Sequence, residues 1–204
     1  MATIQKDKLS IIKKYYKQGY SVKDIAKIID ASNNATYYFF RKYNIERRNR
    51  IEARNLAYDR QDATFKLKKS LSNYEKELKI AGIMLYWGEG SKWDGEKIID
   101  FANSDLGIIK VFLKFLRIVC GVKESKLRVY LYCYSNQKPV NLVDYWSKEI
   151  KISKKQFTKP YVRKDFNKNK VGKMKYGLIH IRYADRKLLD QMRIWIEECN
   201  KKLS

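Results

Sequence analysis

Residues 76–92 (KELKIAGIMLYWGEGSK) combine a helical period with three of the chain's nine glycines, Gly82, Gly88 and Gly90. Leu78, Ala81 or Gly82, Leu85 and Glu89 fall three to four residues apart, so a helix gathers them on one face that ends in a carboxylate. Glycine inside a helix costs roughly 1 kcal/mol relative to alanine, and close backbone approach or an unusual φ is the usual reason for it. Gly88-Glu89-Gly90 therefore reads as an acidic residue held at the end of a helix that something else approaches closely.

This run of small and apolar residues, closing on Gly-Glu-Gly-Ser, resembles the motif helix of the LAGLIDADG homing endonucleases, in the version with a single motif per chain. Ile83 and Met84 stand where that family usually has Ala and Gly. The resemblance implies an αββαββα domain whose saddle-shaped sheet lies over DNA. It implies that Glu89, with the backbone carbonyl of Gly88, holds Mg²⁺ or another divalent cation. It also implies that Leu78, Ala81, Gly82 and Leu85 form the seam of a homodimer that breaks both strands of a duplex. One acid per chain and two strands to cut require two copies and a roughly two-fold symmetric target. A basic residue near the scissile phosphate is usual in the family, and Lys92, Lys159 and Lys173 are the candidates.

Charge points the same way. Against 45 Lys and Arg stand 22 Asp and Glu, a formal +23 over 204 residues, which fits a nucleic acid partner better than any other. No run of 18 apolar residues and no signal peptide is present, so neither a membrane nor export is expected. The expected setting is intracellular, in cytoplasm or nucleoid, and no small-molecule substrate is implied. Cys120, Cys133 and Cys199 are odd in number and lack a CxxC spacing, which supports reduced core residues rather than a zinc site or disulfides. Hydrophobic content of 45% and only two prolines allow a packed core.

The expected class is α+β, in three parts: a small all-α domain over 1–45, a basic linker or arm over 46–75, and the larger domain over 76–204. In the first part Leu9, Ile12 and Tyr16 form a stripe that Gly19 ends. Ser21 and Asp24 make a capping pattern for a second helix that buries Val22, Ile25, Ala26 and Ile29. Asp30-Ala31-Ser32 turns into a third helix reaching about Tyr43. This spacing resembles the helix-turn-helix of site-specific recombinases and many regulators. Thr36, Phe39 and Phe40 would face inward, leaving Asn33, Asn34 and Tyr38 for base edges and Arg41 and Lys42 for phosphates, with Tyr37 nearer backbone than base. The stretch from Glu46 is either a solvated helix or an arm reaching a groove through Arg47, Arg48 and Arg50.

In the third part Lys97–Asn103 alternates as a half-buried strand, and 106–120 is amphipathic with Ile109, Phe112, Leu113, Leu116 and Val119 inward. The clearest strand is 126–136, where Leu127, Val129, Leu131 and Cys133 alternate with Arg128, Tyr130, Tyr132 and Tyr134. Arginine and tyrosines in a row suit a groove wall or stacking, although tyrosine also has good strand propensity. A helix over 139–150, an irregular basic region over 153–173, a strand over 176–183 and a helix over 187–202 complete the chain. His180 and Arg182 fall on the polar side of the last strand. His180 reads either as a hydrogen-bonded strand residue or as a catalytic base. Asp94, Asp100 and Asp105 are either second carboxylates or caps and turns. The expected activity is a metal-dependent DNA endonuclease; the alternative is a transcription regulator of the same build that has lost cleavage.

Overall fold

The computed structural model of the chain describes residues 4–93, 95–164 and 174–204. It divides into two compact units, Met1–Asp62 and Ala63–Ser204.

The first unit is all-helical: α1 (Leu9–Lys17), α2 (Val22–Ile28), α3 (Asn33–Lys42) and α4 (Arg50–Arg60). Ser21 and Asp24 cap α2 reciprocally, and Ser32 caps α3 by accepting from the Ala35 amide at 3.1 Å. Between them Asp30 takes a left-handed conformation at φ 53°, which reverses the chain tightly. Ile12, Val22, Ile25, Phe39 and Phe40 form the core, and the buried Thr36 hydroxyl donates to the Ser32 carbonyl at 3.0 Å. The stretch after Glu46 is no extended arm. Its residues 50–60 coil into α4, which two arginines fasten to α1 and the α1–α2 turn. Arg48 stacks on the Tyr16 ring at 3.7 Å and donates to the Tyr16 carbonyl, while Arg60 stacks on the Tyr20 ring at 3.5 Å.

The second unit begins earlier in the chain than its strand and helix pattern suggests. Residues 64–68 run beside 119–123 through backbone bonds from Lys66 to Gly121 and from Lys68 to Val119, both 3.1 Å. The Asp185 carboxylate, at the N-terminus of the last helix, accepts from the Thr64 amide at 2.7 Å. Ser72 and Glu75 then form a capping box that starts α5 (Asn73–Glu89).

The remaining elements are β1 (Ile99–Asn103), α6 (Leu106–Lys114, extended by a π-helical turn Phe115–Val119), β2 (Leu127–Tyr134), α7 (Pro139–Ile150), β3 (Tyr161–Arg163), β4 (Leu178–Tyr183) and α8 (Arg186–Leu203). The sheet order is β1-β4-β2-β3, antiparallel except for the β2–β3 pair. The protein is thus α+β. Its order departs from αββαββα. The first strand of the first expected hairpin shrinks to one bridge, Gly90 to Phe101, because among the described residues the segment after α5 pairs with β1 only through Gly90 and Ser91. The helix α7 and the short β3, which falls in the region expected to be irregular, separate β2 from its antiparallel neighbour β4.

One face of the sheet is dry. Ile99, Phe101, Leu127, Val129, Leu131, Cys133, Ile179, Ile181 and Tyr183 are buried with residues of the helices in a single core. Phe101 stacks on Phe112 at 4.0 Å, and the buried Trp146 donates its indole N–H to the Tyr176 carbonyl at 2.7 Å. Cys120 and Cys133 lie in this core as unpaired thiols, and burial pushes both upward in pKa. No helix of the described residues is long and apolar enough to cross a membrane.

Candidate functional site

The period of two that buries one face of the sheet sends the intervening side chains to the other. Register stacks them in rows: Asp100, Arg182 and Arg128 lie abreast across β1, β4 and β2, and the next row holds Ala102, His180 and Tyr130. Tyr132 then stands beside Tyr161 of β3.

These rows are knit together. The Asp100 carboxylate takes the Nδ1 side of His180 at 2.7 Å through Oδ1 and the Nε–H of Arg182 at 2.8 Å through Oδ2. The guanidinium of Arg182 lies over the Tyr130 ring at 4.8 Å. Tyr130 meets Tyr132 edge-on at 4.9 Å, and Tyr132 meets Tyr161 at 5.2 Å. Burial pushes the Asp100 carboxyl upward, but His180 and Arg182 outweigh it and hold the group below its ordinary value. Burial, with Tyr130 beside it, raises the Tyr132 phenol. The face therefore offers donors and flat rings held in fixed positions, which suits a polar or planar ligand.

Several expected residues take other roles. Arg128 is exposed, yet it bends back to donate to the carbonyls of Ser125 and Leu127, both at 2.8 Å. Tyr134 is buried, so it gives no stacking surface. Arg48 is spent on Tyr16 within the first unit and cannot serve as an arm; Arg47 lies over the Tyr37 ring at 5.1 Å, and Arg50 is exposed at the start of α4. His180, on β4, is hydrogen-bonded to Asp100 across the sheet. Asp105 caps α6 through the Ile108 amide at 2.9 Å, whereas Asp100 is neither cap nor turn but the centre of the network. Asp94 and Lys173 lie outside the described residues.

Asp100, expected as a second carboxylate or a cap, and Tyr161, not singled out in the sequence, both belong to this network. Asp100 was legible in principle, because in Ile-Ile-Asp-Phe-Ala-Asn it alternates with Ile99 and Phe101 and must share the polar face with His180 and Arg182. Tyr161 lies on a three-residue strand, too short to leave a period.

On α3, Asn33, Asn34, Tyr38, Arg41 and Lys42 are all exposed, while Thr36, Phe39 and Phe40 are buried. The helix thus presents one polar side beyond the core of its unit.

The expected seam and acid lie on α5. Leu78 and Gly82 point into the core of their own unit and cannot form a seam with a second molecule. A methyl group on Gly82 would lie 2.1 Å from the Phe115 ring, so this glycine exists to admit Phe115. Ala81, Met84 and Leu85 instead line an open apolar hollow with Ile108 and Val111 of α6. Gly88 is exposed, and a methyl group there would meet nothing within 4 Å. Glu89 is exposed at the C-terminal end of the helix, next to the Gly90–Phe101 bridge.

The last turn of α5 contains no basic residue, so the negative end of the helix dipole and the Glu89 carboxylate lie together on a strongly basic chain. Lys92 and Lys159 are exposed. Among the described residues no three His, Cys, Asp or Glu side chains converge. A magnesium ion held here would have one carboxylate from this chain, with carbonyls, water or phosphate oxygens completing its shell, which is a common arrangement for that ion.

Compared with known proteins, the chain matches no family model, no curated protein and no solved structure.

Proposed function

We propose that the protein binds duplex DNA in a sequence-dependent way and cuts it with a divalent metal held at Glu89. The observation that carries the reading is the one-sided sheet: a dry face under helices, and an opposite face carrying Arg182, His180, Tyr130, Tyr132 and Tyr161 on a chain of net charge +23. A major groove admits such a ribbon of strands, and the charge supplies the attraction to phosphate. The polar side of α3 supports a second contact, with α2 and α3 acting as a helix-turn-helix whose Asn33, Asn34 and Tyr38 reach base edges.

Two copies complete the reading. The open hollow at Ala81 and Leu85, together with Gly88, leaves α5 a face on which the same helix of a second molecule can pack, bringing two Glu89 carboxylates to one duplex. This is a LAGLIDADG-like arrangement with the contact face turned from Leu78 and Gly82 to Ala81, Leu85 and Gly88. Bound metal would polarise the scissile phosphate and lower the pKa of an attacking water.

The test is to incubate the full chain with a randomised duplex library and Mg²⁺ beside Glu89→Gln. Cutting by the parent protein, lost in Glu89→Gln while binding persists, is the expected result. Binding without cutting by either protein would mark a non-cleaving regulator, and no binding to duplex would end the reading altogether.

A further inference from the structure

Arg182 is the best-fixed cation on the open sheet face, and its surroundings say what it is for. Its Nε–H is spent on Asp100 Oδ2 at 2.8 Å and its flat face rests on Tyr130 at 4.8 Å. Its two terminal nitrogens donate to no acceptor among the described residues. The result is a two-pronged donor whose plane is set by a strand-to-strand ion pair and an aromatic ring before any ligand arrives.

The neighbouring charge decides between two targets. A phosphate approaching Arg182 would also approach the Asp100 carboxylate, which cancels the attraction at that spot and repels the anion. A neutral base edge with two acceptors pays no such penalty. Guanine presents O6 and N7 side by side in the major groove, at the spacing of an arginine fork.

We propose, resting on the DNA-binding reading above, that Arg182 reads a guanine in the major groove and that Asp100 is its positioning residue, with Tyr130 supporting the guanidinium. Asp100 touches no base. His180 holds the second carboxylate oxygen at 2.7 Å, so the carboxylate cannot swing away from Arg182. On this account an acidic residue on a basic surface serves selectivity at some expense of general affinity.

The experiment selects bound sequences from a randomised duplex library in a buffer without divalent metal, using the full chain, Arg182→Gln and Asp100→Asn. Folding is checked by thermal melting, and affinity for selected and for unrelated duplex is measured at several salt concentrations. The parent protein should enrich a guanine at a position where Arg182→Gln loses about tenfold to a hundredfold in preference, with the salt dependence unchanged. Asp100→Asn should blur the same position while binding unrelated duplex as well as the parent or better.

A uniform loss of affinity in Arg182→Gln, with the salt slope reduced by about one, would make Arg182 a phosphate contact and overturn the proposal. So would an unchanged sequence preference in Arg182→Gln. An unchanged preference in a folded Asp100→Asn would overturn the positioning role. Failure of the parent protein to bind duplex at all would instead remove the DNA-binding reading on which this one stands.

Discussion

Gly82 and Gly88 sit six residues apart on one helix and are glycine for opposite reasons. Gly82 faces inward, and Phe115 of the same chain fills the space a side chain would need. Gly88 faces outward, and among the described residues beyond its own helix backbone nothing lies within 4 Å of a methyl group placed there. The first is explained by the fold. The described residues give no such reason for the second, which is why the proposed contact with a second copy of α5 falls there. The helical period places Leu78 and Gly82 on one face with Leu85 and Glu89, and the family resemblance makes that face a seam; burial of Leu78 and the Phe115 ring against Gly82 turn those two inward.

The largest effect is expected where the space is already taken. Gly82→Ala should destabilise the second unit by about 1–3 kcal/mol, because the added methyl must displace the Phe115 ring in a packed core. Denaturant titration would measure it, and Phe115→Leu added to Gly82→Ala should recover part of the loss. Wild-type stability in Gly82→Ala would mean that the two positions do not differ in kind.

The same contrast between inward and outward partners runs across the sheet, where Asp100 is held by His180 and Arg182. Asp100→Asn should cost about 1 kcal/mol at neutral pH, since it weakens two charge-assisted bonds while keeping the shape. The folded-state pKa of Asp100 lies below its ordinary 3.8, so its ionised form favours the folded state. That contribution is full above the ordinary value and is lost as pH falls through the lower, folded one. Melting temperatures taken between pH 5 and pH 3 should therefore fall more steeply for the parent than for Asp100→Asn. Parallel curves would show that the ion pair adds nothing to folding.

Much of this architecture was readable because it repeats. The strand over 126–136 and the helices over 106–120 and 139–150 carry long periods, and Ser21 with Asp24 marks a helix start by local chemistry alone. What escaped had no period or depended on distant partners. β3 has three residues, and the 64–68 segment is ordered by the Asp185 carboxylate more than a hundred positions away in the chain. Arg48 shows the limit most plainly. Within Glu46-Arg-Arg-Asn-Arg it cannot be told from Arg47 or Arg50, and only the position of Tyr16 in space makes it structural. Asp100 is the intermediate case: its face follows from alternation, but its two partners follow only from strand register.

The smallest effect is also the one of opposite sign. Gly88 lies within α5, its φ is not positive and nothing crowds it, so Gly88→Ala relieves the entropic cost of glycine without adding strain. The lone chain should gain about 0.5–1 kcal/mol, or about 2–4 °C in melting temperature for each kcal/mol at this size. If a second copy of α5 packs against Gly88, the same methyl group must stand in the seam and keep the two helices apart. Melting under dilute, monomeric conditions together with sedimentation across a concentration series would then show a more stable chain that associates less. A gain in stability with self-association unchanged would move the second molecule off this helix and leave the open position to another partner. Loss of stability would show that Gly88 has a neighbour in its own chain after all, and the distinction from Gly82 would collapse.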